Sequence, residues 1–157
     1  MVVSCSSKPE EVVELKRFPL DTLDGVLTRT DVALDAQVTS DGKGALRLTA
    51  SKPTVFRLFE IEGLNLENSR LIFRAKLRAE NLSGDAYLEM WVRFPGKGEF
   101  FSRSMHEAVR GSTEWVSIET PFFFQKGEQP DLIKLNVAVN GAGTVWVDDI
   151  VLLKAGL

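Results

Sequence analysis

The feature that most constrains this chain is a two-residue alternation of apolar and polar side chains. It recurs in short stretches, with turn residues between them. In Ala86 to Phe94, Leu88, Met90, Val92 and Phe94 alternate with Tyr87, Glu89, Trp91 and Arg93. In Arg70 to Arg78, Leu71, Phe73, Ala75 and Leu77 alternate with Ile72, Arg74, Lys76 and Arg78. In Leu132 to Val139, Ile133, Leu135, Val137 and Val139 alternate with Lys134, Asn136 and Ala138. Successive side chains of a strand point to opposite faces, so this pattern makes one face apolar and the other polar. A helical period of that length appears nowhere.

The punctuation agrees. Ser40-Asp41-Gly42-Lys43-Gly44 leads from Ala36–Val38 into a strand at Ala45–Ala50, and Pro53 precedes one at Thr54–Ile61. Pro95-Gly96-Lys97-Gly98 precedes Glu99–Arg103, and Met105–Val109 suits one helical turn before Gly111. Trp115–Thr120 is a strand ending at Pro121. Asn140-Gly141 is a tight-turn pair, because both residues tolerate positive φ, and Val145–Leu153 closes the chain. Val12–Phe18 follows Pro9-Glu10-Glu11, which suits a helical turn, but its alternation favours a strand. Roughly nine or ten short strands without a substantial helix predict an all-β, antiparallel sandwich of two sheets. The expected division is a tether over residues 1–11 and one sandwich domain over 12–157.

Composition excludes several functions. One cysteine permits no intrachain disulfide and no cysteine-built zinc site, and one histidine excludes a histidine pair. The net charge of −3, with Lys and Arg dispersed, argues against nucleic-acid binding through a basic surface. No apolar run approaches the ~18 residues of a spanning helix. Ser104, His106 and Glu107 are neighbours in a polar loop, not a convergent triad, and no G-x-S-x-G elbow occurs. Glu89 and Glu119 are too ordinary as a strand pair to indicate a glycosidase. The expectation is a protein that is not an enzyme.

Three segments carry a family resemblance: Gly42-Lys43-Gly44-Ala45-Leu46-Arg47-Leu48, Thr113 to Phe122, and above all Gly143-Thr144-Val145-Trp146-Val147-Asp148-Asp149-Ile150-Val151-Leu152. Their order and spacing resemble the jelly-roll carbohydrate-binding modules of the galactose-binding-like fold, over residues 18 to 153. The resemblance implies a jelly-roll β-sandwich without catalysis of its own and leaves the ligand open. It also implies a structural calcium on Asp148, with Asp41 as second ligand and Glu14 as a poorly matching third. Oxygen ligands of this kind suit calcium. Asp148 has the parity of Trp146, Ile150 and Leu152, and an ionised carboxylate on a core-facing side needs a cation or several donors. The alternative is an Asp capping backbone N–H groups at the sandwich edge.

The polar face of strand 86–94, taken as part of the concave sheet face, is the expected glycan site. Tyr87 and Trp91 can stack on sugar C–H faces, and Glu89 and Arg93 can bond hydroxyls. Arg74, Lys76, Lys134 and Asn136 share the polar parity and join this platform if their strands share the sheet. So many cations favour an acidic sugar or a protein surface over a neutral glucan. The alternatives are a solvated sheet face or a structural, protein-interaction subunit of a bacterial envelope assembly. Phe122-Phe123-Phe124 reads as core and edge packing, and as a protein interface if exposed. At the N-terminus, Val2-Val3-Ser4-Cys5-Ser6-Ser7 resembles a bacterial lipoprotein processing site, with Cys5 as the lipidated residue. Four residues precede it, too few for the charged and apolar leader, so an incidental cysteine is the alternative. The resemblance implies export to the periplasm or outer membrane of the cell envelope, with membrane contact only through the lipid anchor.

Overall fold

The computed structural model of the chain describes residues 11–157. Eleven strands and one short 3₁₀ turn, with no α-helix among the described residues, form two antiparallel sheets. The strands are β1 Val13–Phe18, β2 Val32–Asp35, β3 Ala45–Ala50, β4 Thr54–Ile61, β5 Ser69–Glu80 and β6 Leu82–Phe94. They continue with β7 Gly98–Arg103, β8 Val109–Gly111, β9 Val116–Phe124, β10 Leu132–Asn140 and β11 Gly143–Ala155. One sheet runs β2-β3-β11-β5-β9, with β1 also paired to β11; the other runs β4-β10-β6-β7, with β8 also paired to β6. This is an all-β sandwich of jelly-roll type.

The core lies between the sheets, where the alternation predicts it. Leu71, Phe73, Ala75 and Leu77 of β5 pack with Leu88, Met90 and Val92 of β6 and Leu135 and Val137 of β10. Each such Leu, Val or Phe side chain contributes about 1.5–3 kcal/mol by leaving water. The outer edge of β4 is covered by the β1–β2 loop: Leu27 N–H donates to Leu58 O at 3.0 Å and Thr28 N–H to Arg57 O at 2.8 Å.

Two local readings change, and one strand is new. Val32–Asp35 forms a strand ahead of Ala36–Val38, and Asp35 Oδ1 accepts the N–H groups of Gln37 and Val38 and turns the chain there. β9 runs through Pro121 to Phe124; as an edge strand it pairs, among the described residues, only with β5 within the sheet and tolerates a residue without an N–H. The parity of the last strand breaks at a bulge between Asp148 and Val151. Val145 and Val147 face the core before it, and Ile150 and Leu152 after it. Trp146 and Asp148 therefore face away from the core, contrary to the single parity expected for Trp146, Asp148, Ile150 and Leu152.

Candidate functional site

The antiparallel register builds a continuous patch on the outer face of the β4-β10-β6-β7 sheet. Across β6, Glu89 lies between Asn136 of β10 and Arg103 of β7, and Trp91 between Lys134 and Phe101. Tyr87 and Arg93 share that face one row away on either side. Glu89 is the hub, only 4% exposed. Its carboxylate accepts Arg103 Nε at 2.8 Å, Trp91 Nε1 at 2.9 Å and Asn136 Nδ2 at 3.0 Å. Burial alone would raise its pKa, but the bonds from Asn136, Arg103 and Trp91 outweigh burial and hold it below the usual carboxylate value. Glu89 is thus an ionised anchor for its neighbours, with little capacity left for a ligand.

The anchored groups are aromatic and cationic. The rings of Trp91 and Phe101 lie 5.3 Å apart at 57°, and the Arg103 guanidinium sits 4.0 Å from the Phe101 centroid and 5.9 Å from that of Trp91. Phe101 is half exposed. Beside them is a hollow of about 260 Å³, lined by Trp91, Asn136, Val55 and Arg57 and bounded by Lys134 and Glu99. The last two pair at 2.7 Å, while Arg93 pairs with Asp131 at 2.9 Å.

The cation-rich platform is dispersed. β5 belongs to the other sheet, so Arg74 and Lys76 lie on the opposite side of the molecule; Arg74 Nε donates to Glu119 at 2.7 Å there. The remaining cations face carboxylates: the hollow is lined by Arg57 and Lys134 against Glu60, Glu89 and Glu99, and Arg103 balances Glu89. This charge balance removes the reason for preferring an acidic sugar at this face. Of the expected ligand residues, Tyr87, Glu89, Trp91, Arg93 and Asn136 share one face and Arg74 does not. Phe101, Arg103 and Arg57 were missed. The alternation of Glu99, Phe101 and Arg103 held the signal for the first two, once β7 is paired to β6 through the Pro95–Gly98 turn.

Asp148 is fully buried on the outer side of the β11 sheet. Ser40 N–H and Ser40 Oγ donate to its Oδ2 at 3.1 and 2.6 Å, and its Oδ1 has no hydrogen-bond partner among the described residues. Burial raises its pKa against the opposing Ser40 bonds. Asp41 is exposed, and its Oδ1 accepts Lys43 N–H at 2.9 Å. Glu14 is held by Arg17 at 2.6 Å. Among the described residues no three His, Cys, Asp or Glu side chains cluster to hold a metal. The orphaned Asp148 Oδ1 suits an added cation; the other oxygens a calcium ion requires would have to come largely from backbone carbonyls.

The remaining polar residues do not converge. His106 is exposed in the 3₁₀ turn Met105–Glu107, and Ser104 Oγ accepts Leu88 N–H at 2.9 Å inside the protein. Glu89 and Glu119 lie on different sheets. Of the three phenylalanines, Phe124 is buried, Phe122 is half-buried and Phe123 is 53% exposed. Cys5 lies outside the described residues.

No family model matches the chain, and no curated protein sequence does. Solved structures do. The CBM22-1 xylan-binding domain from Paenibacillus barcinonensis Xyn10C is similar at a TM-score of 0.64 and 14% identity, covering 97% of this chain and 99% of that one. The N-terminal CBM22-1-CBM22-2 tandem domain of the same protein gives 0.68 at 13% identity, covering 97% of this chain and 48% of that one. The Family 16 Carbohydrate Binding Module-2 gives 0.55 at 13% identity, covering 78% and 84%. At these identities the likeness shows a shared fold: a carbohydrate-binding-module-like jelly roll.

Proposed function

We propose that the chain is a non-catalytic binding module that seats a glycan on the outer face of the β4-β10-β6-β7 sheet. The observation that carries this reading is the Trp91–Phe101–Arg103 stack anchored by buried Glu89 beside an open hollow. Trp91 and Phe101 offer apolar ring surface to sugar C–H groups, and Arg57, at the hollow, offers donors to hydroxyls. Asn136 and Glu89 position Trp91 and Arg103, while Tyr87 and Arg93 flank the stack. The balanced charge favours an uncharged glycan. The likeness to a xylan-binding domain supports a glycan ligand without naming it.

A glycan array followed by calorimetry of the best ligand tests the proposal. Trp91→Ala is expected to weaken binding by about tenfold or more, ~1.4 kcal/mol. Absence of binding to any glycan, or equal binding by the variant, would defeat it. The second reading, a protein-interaction subunit of an envelope assembly, is favoured by half-exposed Phe100 and Phe123 on strands β7 and β9, at the edges of the two sheets.

Two further elements belong to the proposal. Asp148 with backbone carbonyls of the β2–β3 loop would hold a structural calcium, which would neutralise a buried carboxylate. Cys5 would carry a lipid placing the module on the cell envelope; labelling with a fatty-acid analogue, present on the native protein and lost in Cys5→Ala, is the expected result.

A further inference from the structure

The outer face of the other sheet holds a second polar hollow, of about 270 Å³. Arg17 of β1, Arg74 and Lys76 of β5, Ser117 of β9 and Asp149 of β11 line it. Glu14 and Glu119 pair with Arg17 and Arg74 at its margin, so a ligand would meet the donors that remain unengaged and not an excess of positive charge. Register places them: Arg17 and Arg74 flank Val151, and Lys76 lies between Asp148 and Ser117. The β11 bulge inserts Asp149 here with φ +52°, a left-handed backbone that Asp tolerates better than most residues.

The donors in this hollow are unevenly engaged. Arg17 gives Nε and Nη2 to Glu14 and Nη1 to Asp149. Arg74 bonds Glu119 through Nε alone, so its Nη groups have no acceptor among the described residues. Lys76 Nζ lies 4.0 Å from Asp149, beyond hydrogen-bond reach. Ser117 Oγ is likewise without a partner among the described residues, on an exposed residue. The Arg74 Nη groups, the Lys76 ammonium and the Ser117 hydroxyl thus line one hollow without hydrogen-bond acceptors among the described residues. That set matches an oxyanion, with guanidinium bonds to two oxygens and an ammonium to a third.

We propose that this hollow is an anion site that takes a carboxylate, sulfate or phosphate group through Arg74, Lys76 and Ser117. It lies on the sheet opposite the Trp91 face and is independent of glycan binding there. In a chain of net charge −3, such a site would recognise a local charged group and not attract anions at large.

The test uses amide chemical shifts of the whole chain, titrated separately with inorganic phosphate, inorganic sulfate and methyl glucuronate. Ionic strength is held constant with chloride, because screening alone shifts exposed charges. Saturable shifts at residues 74–76, 117 and 149 with any of the three are expected, and the tightest identifies the source of the group. Lys76→Gln and Arg74→Gln are expected to weaken binding by about tenfold each, while Lys97→Gln, at an exposed turn residue outside both hollows, leaves it unchanged. All three substitutions are at partly or fully exposed side chains, and a thermal melt checks that each variant folds. No saturable shift with any anion, shifts matched by chloride alone, or unchanged binding in both hollow variants would overturn the site.

Discussion

Glu89 shows what one side chain can organise. Its carboxylate is buried yet ionised, because three donors replace the water it lost. Glu89→Ala would leave the Arg103 and Trp91 donors and the Asn136 amide without their acceptor. The expected cost is about 1.5–3 kcal/mol, read as a lower urea midpoint. Glu89→Gln keeps the shape and loses the charge, so it should lie between. Asp148 is the opposite case, a carboxylate whose second oxygen has no hydrogen-bond partner among the described residues. In the presence of a chelator, Asp148→Asn is expected to melt at or above the wild-type temperature, since it removes a buried charge. Added calcium should raise the melting temperature of the wild type and leave Asp148→Asn unmoved. A wild type insensitive to both chelator and calcium would count against a structural cation.

At the scale of elements, the turns hold the two sheets in register. The β10–β11 turn at Asn140–Gly143 closes over the first residues of β6: Ser83 N–H donates to Ala142 O at 2.8 Å and Ala142 N–H to Ser83 Oγ at 2.9 Å. A Cβ built on Gly84 would lie 1.9 Å from Asn140 O, a backbone atom that cannot swing aside. Gly84→Ala should therefore cost more than the ~1–3 kcal/mol of ordinary overpacking, measured as a loss in unfolding free energy. Gly96→Ala supplies the control: its φ of +72° is strained for alanine, but nothing lies within 4 Å of the added Cβ. Bulges act with similar precision. The one in β11 reverses which residues face the core within a single strand, so the periodicity that reads β5 and β6 correctly misassigns part of β11.

Across the whole molecule, acid titrates carboxylates of opposite character. Glu89 is held below its ordinary pKa, and so is Asp35, through bonds from the Val38 N–H, the Trp146 indole and the Gln37 N–H. Their stabilisation is full above the unfolded-chain values and is lost as pH falls through the lower folded values. Asp148, with a raised folded value, imposes a penalty that grows as pH rises from the unfolded value through the folded one. Denaturant midpoints across acid pH, with chelator present, should therefore show two separable effects. Glu89→Gln should weaken the loss of stability toward low pH. Asp148→Asn should gain on the wild type as pH rises and then run parallel to it. A pH-independent difference for either variant would contradict its assignment.

The fold class and the inward faces of β5, β6 and β10 were decided by sequence alone, because a period of two with apolar residues on one side admits few burial patterns. The same alternation placed Tyr87, Glu89, Trp91 and Arg93 together, since residues two apart on one strand share a face whatever the strand pairs with. Only the tertiary structure decided which strands are neighbours. Parity says which side of its own strand a residue faces and nothing about which sheet the strand joins. Arg74 and Lys76 therefore passed from the Trp91 face to the opposite one, while Phe101, Arg103 and Arg57 arrived through pairing between β7, β6, β10 and β4. Pairing also determines which charges neutralise one another, and so what each face can bind.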